Sequence, residues 1–123
     1  MSSQNLRFGV LGVGRIGKIH AENLAHRIPG TEVVALSSTF PAPLQAVASE
    51  LGVSQTVTDY KQVLAMPEVD AIAICTPTST HYQIILDAAA AGKHIFCEKP
   101  LELSLGKLSE IGKAVEKHNV QLM

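Results

Sequence analysis

Arg7-Phe8-Gly9-Val10-Leu11-Gly12-Val13-Gly14-Arg15-Ile16-Gly17-Lys18-Ile19-His20 is the stretch on which the fold turns. Arg7 to Gly12 is a short apolar run of the kind that forms a strand. Ile16, Ile19 and Leu24 then recur at helical spacing until Pro29-Gly30 breaks the chain. Gly12, Gly14 and Gly17 stand where the strand gives way to the helix, in the spacing G-x-G-x-x-G. A strand that enters a helix through a tight glycine turn is the first half of a βαβ unit, and its second strand must lie parallel to the first.

The alternation continues along the chain. Glu32 to Leu36 reads as a second strand. Pro41 and Pro43 then open a helix with Leu44, Val47 and Leu51 on one face, stopped by Gly52. A short third strand spans Gln55 to Val57, and Asp59 caps a brief helix that runs through Leu64 and ends at Pro67. Ala71 to Cys75 is continuously apolar, as a central parallel strand must be. After the turn Thr76-Pro77-Thr78-Ser79-Thr80-His81, Ser79 or Thr80 is expected to cap a helix whose Ile85, Ala88 and Ala89 share a face and which Gly92 ends. His94 to Cys97 is a fifth strand. Ser104 is placed to cap a last helix with Leu105, Leu108, Ile111 and Val115 inward, and Val120 to Met123 begins a further strand. The pattern predicts an α/β fold: one doubly wound parallel sheet with helices on both faces, over residues 1–123.

Composition agrees and excludes several classes of function. The chain has 123 residues, which accommodates one domain and one real core. Ten basic and eleven acidic residues nearly cancel and form no basic run, so neither nucleic acid nor an anionic membrane surface is an expected partner. Asp70, Asp87 and Lys93 interrupt the most apolar stretches well short of the roughly 18 residues of a membrane span. The polar start Met1-Ser2-Ser3-Gln4-Asn5 lacks the charged and apolar regions of a secretion signal, which points to the cytoplasm. Cys75 and Cys97 each sit in an apolar strand and read as small buried hydrophobes, with no metal site expected.

The glycine spacing also carries chemistry. Gly12 permits the turn, Gly17 lets helix pack on strand, and Gly14 removes a side chain that would bar a pyrophosphate from the helix N-terminus beside Arg15 and Ile16. The expected ligand is therefore a dinucleotide. An acidic residue about 20 positions beyond the loop would accept hydrogen bonds from the adenosine ribose. Ser37-Ser38-Thr39 stands there instead. A hydroxyl at Ser38 does not repel a ribose 2′-phosphate and can donate to it, which leans the reading toward NADP. No arginine follows Ser38, so Arg15 is the one candidate for a clamp on that phosphate, and NAD stays open.

The glycine loop from Phe8 to His20, the turn Thr76-Pro77-Thr78-Ser79-Thr80-His81 and the triplet Glu98-Lys99-Pro100, in that order, resemble the Gfo/Idh/MocA oxidoreductases, the inositol 2-dehydrogenase-like members most. The resemblance covers the whole chain and implies a Rossmann-type dinucleotide-binding domain. It implies that Lys99 points into the active site, near the nicotinamide and the substrate hydroxyl. The position agrees with physics, since Lys99 follows the carboxyl end of the fifth strand, where open parallel sheets bind ligands. A lysine there can polarise the substrate oxygen or shuttle its proton. Pro100 is implied to follow a cis peptide that aims Lys99, and Glu98 to lie beside the cofactor. Thr76, Pro77, Thr78 and His81 are implied to line its ribose and nicotinamide side. The other histidines are weaker candidates: His26 and His118 fall near helix C-termini, where the dipole favours a cationic ring, His94 enters the fifth strand from the opposite edge, and His20, one turn into the first helix, reads as structural.

The resemblance further implies a downstream α/β domain, absent from this sequence, that supplies an aspartate, a histidine, the sugar or polyol pocket and the oligomer contacts. The expected function is hydride transfer between NAD or NADP and a sugar or cyclitol hydroxyl, with this chain catalytically incomplete by itself. Two other readings remain at this point: a stand-alone NAD(P)-sensing module that signals to a protein partner, and a relic that no longer binds, for which Ser38 is the support.

Overall fold

The computed structural model describes residues 5–98 and 105–123. Its elements are β1 (Leu6–Leu11), α1 (Arg15–His26), β2 (Thr31–Ser37), α2 (Pro41–Leu51), β3 (Gln55–Val57), α3 (Tyr60–Leu64), β4 (Ala71–Ile74), α4 (Thr78–Ala90), β5 (His94–Cys97) and α5 (Leu105–Lys117). The five strands form one sheet in the order β3-β2-β1-β4-β5, with every pairing parallel. Beside β5 the terminal segment starts another strand. Gln121 and Met123 accept from the amides of Ile95 and Cys97 at 2.8 and 3.0 Å, and Leu122 bridges Ile95 in parallel.

Two cores sandwich this sheet. On one face Val10, Leu36 and Ala73 of the strands pack with Ala21 of α1 and Leu44, Val47 and Ala48 of α2. On the other, Leu11, Ile72, Ile74 and Ile95 pack with Val63 of α3, Ile84, Ile85 and Ala88 of α4 and Ile111 of α5. Alternate residues of β1 and β4 serve opposite faces, as the two-residue repeat of a strand demands, so a strand covered on both sides must be apolar throughout. Ala71–Ile74 meets this, with all four residues buried.

The local signals act as expected at most element ends. Pro41 occupies the first turn of α2, and Gly52 ends it in the left-handed region at φ 72°. The Asp59 carboxylate accepts from the Lys61 amide at 3.0 Å and caps α3. Two expectations fail. Neither Ser79 nor Thr80 caps α4, which starts at Thr78 with Pro77 in the cap position and no side-chain cap bond; the Thr80 hydroxyl lies inside the first turn and donates to the Pro77 carbonyl at 2.6 Å instead. Leu105 is not inward but 84% exposed, because the first turn of α5 projects beyond the surface that Ile111 buries against. The expected cap at Ser104 lies outside the described residues.

Candidate functional site

Strand order reverses between β1 and β4, and in such sheets the crevice beyond the carboxyl ends at that reversal holds the ligand. Gly12 closes β1 with φ 92°; its amide donates to the Ser37 carbonyl at 2.8 Å, and a Cβ on it would lie 2.7 Å from the Cys75 carbonyl oxygen. A Cβ on Gly17 would lie 1.9 Å from the Gly12 carbonyl oxygen. The fold itself therefore demands both glycines. Gly14 differs, for its φ is −66°, it is exposed, and a Cβ there would meet nothing within 4 Å.

No protein atom accounts for the missing side chain at Gly14. What it leaves is an open cradle at the start of α1. That helix has no side-chain cap and no acidic residue in its first turn. Its first internal bond runs from the Lys18 amide to the Gly14 carbonyl at 2.8 Å, so the amides of Arg15, Ile16 and Gly17 precede the ladder and face the cradle with the positive end of the dipole. Arg15 and Ile16 are exposed at its mouth. Donors of this kind and space of this shape fit a pyrophosphate.

Ser38 follows β2 directly, beside the loop that Gly12 ties to Ser37. Its amide donates to the Val57 carbonyl at 3.2 Å, and its hydroxyl oxygen accepts from the Phe40 amide at 3.1 Å. The Ser38 hydroxyl proton is left to face an acceptor, and Thr39 next to it is exposed. Both ribose oxygens and a ribose phosphate satisfy that requirement.

Across the crevice the turn after β4 is fixed from within. The Thr80 hydroxyl donates to the Pro77 carbonyl at 2.6 Å, so it is the Thr76 hydroxyl that donates to Thr80 Oγ1, also at 2.6 Å. Thr76 thus presents lone pairs, not a proton, to the crevice. His81 is buried, with Nε2 donating to the Thr76 carbonyl at 2.8 Å. Through this bond its ring braces the turn that carries Thr76, Pro77 and Thr78.

Glu98 extends β5 by one residue, its amide donating to the Ile74 carbonyl at 3.0 Å. Its carboxylate accepts from His20 Nε2 of α1 at 2.6 Å, while the His20 ring meets Phe96 edge-on at 5.1 Å. The sequence reading treated His20 as structural and did not connect it with Glu98, for a contact between residues that far apart leaves no local pattern. Lys99 and Pro100 lie outside the described residues. Gly12, Gly14, Gly17, Ser38, Thr76 and Glu98 therefore gather along one edge of the sheet.

Both cysteine thiols near this edge are held in the protonated form by their environment. Burial, then the charges of Glu98 and Cys97, pushes the Cys75 thiol up to about 12, and burial followed by Glu98 pushes Cys97 up to about 11. Among the described residues no group of three His, Cys, Asp or Glu side chains could hold a metal ion, and no helix is long and apolar enough to cross a membrane. A shallow concavity of about 560 Å³ lies at the other edge of the sheet, lined by Asp70, Lys93 and His94 among others. It is wide open to solvent, and its polar groups are taken up elsewhere: Asp70 by Arg7, Lys93 by the Met66 and Val69 carbonyls, and His94 Nδ1 by the Gln121 amide.

The chain is similar to proteins of one family along nearly its whole length. Residues 6–123 match the model of a family described as "Oxidoreductase family, NAD-binding Rossmann fold". The chain is 44% identical over 93% of its length to the uncharacterized oxidoreductase YrbE of Bacillus subtilis. It is 42% identical over 94% of its length to the scyllo-inositol 2-dehydrogenase (NAD(+)) of the same organism. It spans about a third of each of those proteins, 33% and 34%. Among solved structures, scyllo-inositol dehydrogenase from Lactobacillus casei with bound NAD(H) and scyllo-inositol superposes with a TM-score of 0.93 at 34% identity, covering 98% of this chain and 36% of that one.

Proposed function

The chain belongs to the oxidoreductase family with the NAD-binding Rossmann fold, and from that membership we propose that it is the dinucleotide-binding part of a dehydrogenase acting on a cyclitol or sugar hydroxyl. Gly14 carries the reading. It is the one glycine of the loop that the fold does not explain, and a bound pyrophosphate does explain it. The cofactor, a nicotinamide dinucleotide, supplies the acceptor or donor of hydride.

The residues of this chain bind and orient. The amides of Arg15, Ile16 and Gly17 hold the pyrophosphate, and Ser38 with Thr39 meets the adenosine ribose. Thr76, Pro77 and Thr78, braced by His81, flank the nicotinamide half, with Glu98 at the far side of the crevice. In the resembling family a lysine stands in the position of Lys99, and the same role is proposed here: its neutral amine takes the hydroxyl proton as the substrate is oxidised, and the resulting ammonium returns it to the oxygen in reduction, with Pro100 fixing its direction. The substrate pocket, a second proton-transfer group and the oligomer contacts are proposed to come from a domain beyond this sequence. Without a wall to exclude water the chain alone binds cofactor but does not turn over. NADP is supported by Ser38 alone, whereas the family description and the named relatives give NAD.

Titration of the purified chain with NADH and NADPH, followed by nicotinamide fluorescence and calorimetry, separates the cofactors. A Gly14→Val variant should retain its melting temperature and bind neither. Equal binding by wild type and Gly14→Val would overturn the phosphate-loop assignment. Tighter binding of NADH would retire the NADP lean while leaving that assignment intact.

A further inference from the structure

The helix α2 begins badly by local rules, and the defect lies beside the candidate site. Its cap position is Phe40, which makes no side-chain cap bond. That position favours Ser, Thr, Asp or Asn, whose oxygens satisfy the orphan amides of the first turn. A phenyl ring satisfies none of them. Nor does burial compensate, because Phe40 is 69% exposed. A large apolar ring held in water at a helix start contradicts both capping and hydrophobic burial, and natural sequences break such local rules chiefly where function requires it.

The surroundings say what the ring is for. Its backbone amide is hydrogen-bonded to Ser38 Oγ at 3.1 Å, so the backbone that carries the ring is held beside the hydroxyl on one short turn. Ser37, the preceding residue, is tied by its carbonyl to Gly12. The order along the edge is phosphate loop, ribose hydroxyl partner, exposed aromatic ring, which is the order of pyrophosphate, ribose and base in an adenine dinucleotide. From this order we infer that Phe40 is the platform on which the adenine ring stacks. The inference rests on the dinucleotide reading above and extends it to a residue outside the motifs. A phenyl ring offers a face and no hydrogen-bonding edge, so it holds the base by stacking.

The test uses ADP-ribose, which carries the adenine half of the cofactor without nicotinamide, titrated by calorimetry into wild type and the Phe40→Ser, Phe40→Tyr and Gly14→Val variants. Serine can cap α2, so Phe40→Ser should melt no lower than wild type. Its affinity for ADP-ribose should nonetheless fall on the order of tenfold, the usual effect of removing an aromatic stacking partner, while Phe40→Tyr keeps wild-type affinity. If Phe40→Ser binds ADP-ribose as tightly as wild type while Gly14→Val does not bind, the platform is refuted and the dinucleotide site stands. If wild type itself does not bind ADP-ribose, the dinucleotide reading fails and the platform with it.

Discussion

His20 Nε2 and Glu98 Oε2 lie 2.6 Å apart although 78 residues separate them in sequence. The bond joins the helix that presents the phosphate loop to the end of β5, which leads into Lys99. Each side chain is about 30% exposed, 29% for His20 and 31% for Glu98, and the His20 ring also rests edge-on against Phe96. Two contributions are therefore separable by substitution. Removing both with His20→Ala should cost about 1 to 2 kcal/mol in urea unfolding, from one hydrogen bond to a charged acceptor and one aromatic contact. His20→Phe restores only the ring contact and should recover part of that loss. Equal midpoints for the two variants would show that the ring contact contributes nothing.

The three loop glycines should respond in three different ways. Gly17→Ala drives a Cβ to within 1.9 Å of the Gly12 carbonyl oxygen, a clash with backbone that cannot relax, and should prevent folding. Gly12→Ala adds a side chain at φ 92° and 2.7 Å from a carbonyl, and should lower the melting temperature by many degrees. Gly14→Ala should leave the melting temperature within a few degrees of wild type and weaken NADH binding. Circular dichroism melts beside fluorescence titration distinguish the three, and a Gly14→Ala protein that melts far below wild type would contradict the open cradle.

How far this was legible in the sequence depends on the distance over which each signal acts. Strand and helix periods, the Asp59 cap and the Gly52 stop are local, and all appear in the structure where the residues placed them. The parallel, doubly wound sheet follows from the glycine motif and the alternation together, whereas the order β3-β2-β1-β4-β5 is read from the structure. What escaped reading is tertiary. The inward turn of His81 toward Thr76, the approach of His20 to Glu98 and the exposure of Leu105 depend on which surface each helix lays against its neighbours. Phe40 had a local signal, an aromatic immediately before Pro41 where a polar cap belongs, but its meaning needed the position of Ser38 beside it.

Acid should weaken the fold through Asp70. Its carboxylate takes two bonds from the Arg7 guanidinium at 3.1 Å and one from the Arg7 amide at 2.9 Å. The Arg7 side chain, then its amide and charge, hold Asp70 below the ordinary carboxylate value of 3.8 against the opposing effect of burial. A depressed folded value means that the unfolded chain binds the proton first. Stability is then fully present above pH 3.8 and is lost as pH falls through that value toward the folded one. Asp70→Asn should melt a few degrees lower at pH 7 and show a shallower loss between pH 5 and 3. Parallel acid profiles for the two proteins would exclude the pair as a contributor.

Lys93 supports the same edge by a different device. It is buried, and its ammonium donates to the Met66 and Val69 carbonyls, both at 2.7 Å, joining the turn after α3 to the start of β5. Lys93→Met keeps most of the aliphatic stem but removes this donor from both carbonyls, of which the Met66 carbonyl still accepts from the Val69 amide at 3.1 Å. Loss of the two charge-assisted bonds should make this change cost about 1 to 3 kcal/mol. Urea denaturation measures it, and a loss below a few tenths would mean that water replaces the amine without cost.

Alkali should act through Cys75. Burial, followed by the charges of Glu98 and Cys97, pushes its thiol from 9.0 up to about 12. Here the sign is opposite to that of Asp70. Between those values the native chain keeps a proton that the unfolded chain gives up, so the contribution to stability is intact below 9.0 and declines as pH rises through the window toward 12. Cys75→Ala removes the titrating group and should flatten the decline in urea midpoint between pH 8.5 and 10.5. The same environment keeps the thiolate scarce at pH 8, so iodoacetamide should modify native Cys75 far more slowly than the urea-unfolded chain. Fast modification in the native state would place the thiol in water, and burial could then no longer be what holds the proton on.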